Sequence, residues 1–388
     1  MGCYRRINTY RRITVVNRIL PGLAMLLGVY LVLSFSTASG QNYKVGDQVV
    51  VIEDAELKSK VSGKTIVDEF WPGLVLTVTN IKDQWLRVSN GQSGWLNQSK
   101  VIQLNRQAIV RMTVKIKADP RNDLLYNGRA DVWKHLGEQG SAIEDLGEAI
   151  RLNPLAAYYT NRGSIWNDDG NYDRAIKDFN EAIRLDPVYS WSYGNRGDAW
   201  KHKGEFNKAI QDYSEVIRLE PKFAGGYNSR GNAWKSIGKY DKAIDDYNQA
   251  ILIKPTSAGA YKNRGSAWSN KGEYDDAISD YQKTIELEPN LAFGHNALAW
   301  LLATCPDSKY RDGEKAIATA TKACALTAWK NADFIDTLAA AYAESGDFNN
   351  AVKWQLKVIE ILPERDKDDY KDSLRLYQSG KPYHQEKR

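Results

Sequence analysis

Catalysis needs polar groups that converge, and the sequence carries few traces of that kind. Gly63-Lys64-Thr65 has the ending of a phosphate-binding loop, but Lys58 stands where the first glycine of such a loop is required. The four histidines, His135, His202, His295 and His384, are scattered, and there is no H-E-x-x-H pair to hold zinc. Neither a G-x-S-x-G elbow nor a paired-cysteine metal spacing occurs. Binding chemistry does recur. Arg129, Arg162, Arg196, Arg230 and Arg264 are each followed 16 residues later by an aspartate, namely Asp145, Asp178, Asp212, Asp246 and Asp280. Guanidinium and carboxylate pair well in partly buried settings, so these rows read as an internal ladder, with a ligand-binding row of arginines as the alternative. A second set, Asn127, Lys134, Asn167, Trp191, Lys201, Asn228, Asn232, Lys235, Lys262 and Ser266, also falls at recurring positions. Its amides, hydroxyl and spaced lysines suit the backbone and a carboxylate of an extended peptide, and Trp191 adds an apolar contact. An ordinary solvated face has the same composition. The chain is read as a non-enzyme without cofactor or metal, with a protein or peptide partner.

The elements that position these residues follow from a period. Prolines stand at 120, 154, 187, 221, 255 and 289, steps of 33 or 34 residues, and the intervening sequence repeats with them. From Ala224 to Pro255 one unit reads AGGYNSRGNAWKSIGKYDKAIDDYNQAILIKP. Tyr227, Gly231 and Trp234 share one face of a first helix, and Ala243, Tyr247 and Ala250 share one face of a second. The spacing predicts that Gly231 and Ala243 let two helix backbones approach closely while the rings fill the space around them, with Gly238 and Pro255 making the turns. Such a hairpin leaves a face uncovered, so neighbours must stack.

This pattern resembles the tetratricopeptide repeat family: an aromatic at position 4, a small residue at 8, an aromatic at 11, Ala at 20, an aromatic at 24 and Pro at 32. The resemblance implies a mainly α chain whose hairpins wind into a right-handed superhelix. Five regular units begin near Asp123, Ala156, Ser190, Ala224 and Ala258, a sixth with a longer loop near Ala292, and a seventh at Ala332. Together they fill 120–364, between a capping helix at 105–119 and a closing helix and tail at 365–388. The five regular units depart from the family at position 7, where Leu is common and Arg stands here. Positions 2, 5, 9 and 12 form a stripe away from the packing face, and in stacked hairpins this stripe lines the concave groove. It carries the second residue set, the groove in which a peptide or partner domain is expected to sit.

Residues 43–104 change character, to short alternating apolar runs broken by turn signals. Asn90-Gly91, between Trp85-Leu86-Arg87-Val88 and Gly94-Trp95-Leu96, reads as a hairpin turn. Through Gly73, Leu76, Val78, Trp85, Leu86, Val88, Gly91, Gly94, Trp95 and Leu96 the segment resembles bacterial SH3-like domains, which implies a small β-barrel. Some relatives bind cell-wall peptides. Trp85 and Trp95 then belong to such a site or to the barrel core, and the second reading of the chain is a cell-envelope ligand reader with the repeats as spacer or oligomerisation arm.

Charge and targeting narrow the setting. The chain has 53 basic and 48 acidic residues, but Arg5, Arg6, Arg11, Arg12 and Arg18 lie in the first 40 residues with no acid among them. The remainder is balanced and lacks a basic run, which argues against nucleic acid as partner. Those arginines precede an apolar stretch, residues 19–35, and a small-residue run up to Gly40. This is the order of an export signal cleaved before Gln41, with an uncleaved inner-membrane anchor as the alternative. Either places the rest in the periplasm or cell envelope. Cys3 precedes the apolar stretch, so it is not placed to carry lipid. Cys305 and Cys324 fall at opposite ends of two antiparallel helices, beyond disulfide reach, and are expected to be buried thiols.

Overall fold

The computed structural model describes residues 44, 47–51, 55–58, 66–70, 75–82, 85–89, 93–97 and 101–386. The export segment, Gly63-Lys64-Thr65, Gly73 and Asn90-Gly91 lie outside the described residues. Among the described residues no helix is long and apolar enough to cross a membrane. The chain divides into two compact units, residues 1–195 and 196–388.

Among the described residues the first unit opens with seven short strands, β1 (Gln48–Val51), β2 (Ala55–Lys58), β3 (Ile66–Phe70), β4 (Val75–Lys82), β5 (Trp85–Ser89), β6 (Ser93–Asn97) and β7 (Val101–Gln103). They form one antiparallel sheet of order β3-β2-β6-β5-β4-β1-β7. β5 and β6 pair with Val88 opposite Gly94 and Ser89 opposite Ser93, while Trp85 and Trp95 enter the description only through their backbone pairing. Val50 and Val75 of the sheet pack on Ala108 and Ile109 of α1 (Arg106–Ala118) and on Val132 of α2 (Asp123–His135). The start of α1 is fixed by Asn105, whose carboxamide oxygen accepts from the Gln107 amide at 2.8 Å. The hairpins of this unit are α2 with α3 (Gln139–Leu152) and α4 (Ala156–Asp168) with α5 (Tyr172–Leu185).

α6 (Ser190–His202) contains the division between the units. The second unit continues with α7 (Phe206–Leu219), α8 (Ala224–Ser236), α9 (Tyr240–Ile253), α10 (Ala258–Lys271) and α11 (Tyr274–Leu287). Next come α12 (Ala292–Thr304), α13 (Gly313–Leu326), α14 (Ala332–Glu344), α15 (Phe348–Ile361) and α16 (Asp368–Gln378). The turn that reverses α8 into α9 shows why glycine is needed there. Gly238 has φ +72°. Its amide donates to Lys235 O at 3.0 Å, and the Lys239 amide donates to Trp234 O at 2.9 Å, closing the helix with two carbonyls satisfied.

The space beside Gly231 is taken by one of the rings of the second helix. A Cβ placed there would meet the Tyr247 ring at 2.7 Å, so the space left by glycine holds an aromatic ring. Gly163, Gly197 and Gly265 meet Phe179, Tyr213 and Tyr281 in the same way, at 2.6, 2.8 and 2.9 Å. In the first hairpin the corresponding residues are Ala130 and Leu146, both buried in one cluster. A ring at the second position goes with glycine at the first, and a smaller Leu tolerates alanine.

The arginine rows are internal. Arg230 Nε and Nη2 donate to the two carboxylate oxygens of Asp246 at 2.9 and 2.7 Å, and Nη1 reaches Ser214 Oγ of α7 at 3.0 Å. Arg129, Arg162, Arg196 and Arg264 make the same fork with Asp145, Asp178, Asp212 and Asp280, the Nη2 bonds lying between 2.6 and 2.7 Å. In the sixth and seventh hairpins Leu298 and Leu338 replace the arginine, and both are buried in apolar clusters. The sixth hairpin's longer loop is held by Arg311, which donates to Cys305 O and to Glu344 Oε1, both at 2.8 Å. Cys305 and Cys324 are buried free thiols.

Candidate partner-binding face

The first helices of successive hairpins in the second unit, α8, α10, α12 and α14, lie side by side. The residues at positions 2, 5, 9 and 12 of each hairpin therefore come from neighbouring helices. In the first unit α2 and α4 supply Asn127, Lys134 and Asn167, and α6 supplies the half-buried Trp191. Asn161 Nδ2 donates to Asn127 Oδ1 at 3.0 Å, and Lys134 lies 3.7 Å from Asp168. Asn167 Oδ1 is buried without a partner. Asp131, next on this stripe, accepts from the Val75 backbone, and burial raises its carboxyl above the usual range. At the first hairpin the stripe is thus met by the β-sheet.

In the second unit the stripe residues separate into those already engaged and those left over. Lys201 is bonded to Asp198 at 2.8 Å. The hydroxyls of Tyr213 and Tyr247 pass through from the second helices and donate to Asp198 Oδ1 and Asn232 Oδ1, at 2.8 and 2.7 Å. Asn263 Nδ2 donates to Asn228 Oδ1 at 3.0 Å. Lys235 and Lys262 differ, since among the described residues neither has a carboxylate within ion-pair distance. Lys235 Nζ donates only to Ser266 Oγ, at 3.3 Å, and Lys262 Nζ sits 5.7 Å from the centre of the Phe293 ring. Burial, and then the charge of Lys262, pull Lys235 below the ordinary lysine range, and burial does the same to Lys262. Two half-buried cations on neighbouring helices, surrounded by amides and a hydroxyl, make a place where an incoming carboxylate lowers the energy of both.

Sequence reasoning missed the sixth hairpin's share of this face. Phe293, at position 2, is 56 % exposed and makes an edge-on contact with Phe334 at 5.2 Å. Trp300 stands at position 9, whereas the regular units hold their tryptophan at position 11. That two-residue shift, visible in the sequence, moves the ring from the packing face to the stripe. Asn296, at position 5, has a buried and unpartnered Oδ1. No group of three His, Cys, Asp or Glu placed to hold a metal occurs among the described residues. Three of the four histidines serve separate local contacts: His135 bonds Asp131 O at 2.8 Å, His295 bonds Pro289 O at 2.9 Å, and His384 meets Glu344.

Comparison with known proteins agrees with this architecture. A tetratricopeptide repeat model matches residues 156–189, 224–257 and 258–291, a TPR repeat model matches 197–236, and a further tetratricopeptide repeat model matches 332–365. A bacterial SH3 domain model matches residues 58–102. No curated protein matches the sequence. Among solved structures, a tetratricopeptide repeat protein from Parabacteroides merdae is similar at 18% identity and TM-score 0.50, covering 66% of this chain and 98% of that one. The APC/C Cut9-Hcn1 hetero-tetramer is similar at 16% identity and TM-score 0.53, covering 70% of this chain and 52% of that one. MamA is 28% identical over 42% of this chain and 96% of its own, with TM-score 0.40. The likeness to the first two structures is one of fold. The second to fifth and the seventh hairpins match tetratricopeptide repeats, and a segment matching a bacterial SH3 domain precedes them.

Proposed function

We propose that this chain is an exported scaffold that holds a partner protein by an extended, acidic segment laid across the first helices of its repeats. Tetratricopeptide repeats are generally non-catalytic scaffolds for protein–protein interaction, and the fold supports that role. The observation that carries the finer reading is the pair Lys235 and Lys262, two cations drawn together on neighbouring helices with no carboxylate opposite them. Lys134 and Lys201 are already matched by Asp168 and Asp198, so the un-neutralised positive charge is concentrated at α8 and α10. A side-chain or terminal carboxylate fits there, with Ser266 beside it and Phe293 offering an apolar contact. Export rests on the order of charged, apolar and small residues in the first 40 positions.

The test is a peptide array probed with the full chain and with the Lys235→Gln/Lys262→Gln chain. Acidic or free-carboxylate peptides should be retained by the first and lost by the second, and amidated forms should bind weakly to both. Equal retention by the two chains would remove the lysine pair as the reader. Retention that disappears only when residues 41–104 are deleted would transfer the role to the SH3 domain.

A further inference from the structure

Residues 381–386 stay against the repeats. After α16, Gly380 takes φ +70° and the backbone turns back, without regular secondary structure, over the C-terminal ends of α14, α12 and α10. Three contacts of different kinds hold it. The Tyr383 ring lies 5.9 Å from Trp300, the tryptophan displaced onto the stripe. His384 Nε2 is 2.6 Å from Glu344 Oε2, while the other oxygen of that carboxylate is held by Arg311 at 2.8 Å. The Gln385 amide donates to Thr304 O at 2.8 Å. Thr304 ends α12, so its carbonyl has no partner within the helix and accepts from any backbone that passes.

Each contact is one that a foreign peptide could make. The Thr304 carbonyl reads backbone, Trp300 reads an aromatic ring, and the Glu344 carboxylate, 14% exposed and oriented by Arg311, reads an N–H donor such as an imidazole. The segment does not fill the space either. It forms one wall of a recess of about 650 Å³ whose other side is Ser269, Asn270, Tyr274 and Pro306. The path from α14 to α10 ends at Ser269 and Asn270, one helical turn from Ser266, which bonds Lys235.

We propose that the ends of α10, α12 and α14 form a docking site for an extended peptide carrying an aromatic residue followed by a histidine or another N–H donor, and that residues 381–386 occupy this site in cis. The inference rests on the reading that the first-helix face takes a peptide, and it adds the requirement for an aromatic residue followed by an N–H donor, together with a built-in competitor. A partner of this chemistry binds by displacing the tail, so its apparent affinity is set by the fraction of molecules with the tail released.

The test uses the full chain and a fluorescein-labelled peptide of the chain's own sequence from Gly380 to Arg388, followed by fluorescence anisotropy. The Tyr383→Ala/His384→Ala chain should bind this peptide at least about tenfold more tightly than the unaltered chain, because its own tail no longer competes. A labelled peptide with the same two alanines should bind neither chain. His384→Ala alone, which leaves the Tyr383 ring packed, should give an intermediate gain and serves if the double variant fails to fold. Equal affinity for altered and unaltered chains, or no binding of the native peptide to the tail variants, overturns the proposal. Neither result touches the lysine pair, whose loss in the peptide array is a separate failure.

Discussion

The ring of Tyr247 lies 2.7 Å from where a Cβ on Gly231 would stand, and the hydroxyl of the same ring donates to Asn232 Oδ1 at 2.7 Å. One side chain therefore dictates two neighbouring residues of the facing helix. Gly231→Ala forces the ring to shift and should destabilise the chain by about 1–3 kcal/mol. Adding Tyr247→Leu, the solution used by Ala130 and Leu146, should restore part of that loss. Thermal unfolding of the single and double variants decides it, and strictly additive losses would show that ring and glycine are independent.

The same hydroxyl means that Asn232 belongs as much to the hairpin as to the face. Asn232→Ala strands the Tyr247 hydroxyl and should cost on the order of 1 kcal/mol. A loss of partner binding in that variant is interpretable only alongside its melting curve.

The arginine forks should behave as coupled pairs. Arg230→Leu leaves the Asp246 carboxylate, 7% exposed, without its counter-charge and should cost on the order of 3 kcal/mol. Arg230→Leu with Asp246→Leu should lose less than the sum of the single changes, as expected where hairpins six and seven already pack Leu298 and Leu338. Denaturant midpoints of the three variants give the coupling directly.

Lys235 and Lys262 should trade stability against binding. Both have folded-state pKa values below their unfolded ones, so near neutral pH each charge opposes folding, and stability rises as pH climbs toward the ordinary lysine range. Lys235→Gln is expected to raise the melting temperature at pH 7 while weakening retention of acidic peptides. A variant that melts lower and binds as before would contradict both halves.

Asp336 sets a pH window of its own. Burial pushes its carboxyl up to about 6, above the ordinary 3.8, despite a hydrogen bond from Gln355 at 2.9 Å. The folded chain then binds more protons than the unfolded one between those values, so this residue makes stability fall as pH rises from about 4 to above 6. Asp336→Asn should stabilise the chain at pH 7.5, by an amount that shrinks to nothing near pH 4. Chemical denaturation at the two pH values is the measurement.

The repeat was legible because its packing rule is local: rings, glycines and prolines recur at fixed offsets, and each offset fixes a face of a helix. The pairing of Arg230 with Asp246 was legible for the same reason, since both vary together between units. What the spacing did not disclose was contact between hairpins and contact from outside the period. Nothing in the stripe pattern says that Asp198 and Asn232 are engaged by tyrosines from the second helices, or that Val75 of the sheet bonds Asp131. The return of Tyr383 and His384 to the repeats was equally hidden, because a tail outside the period has no offset to be read. Trp300 was the exception, a visible shift within a unit whose meaning appeared only once the tail was seen against it.

Both members of each arginine–aspartate fork lie within one 34-residue unit. Such a unit is electrically self-contained: it can be copied, deleted or moved along the array without orphaning an ion in a dry interior. The number of repeats can then drift by whole units at little electrostatic cost, and the length of the binding face with it.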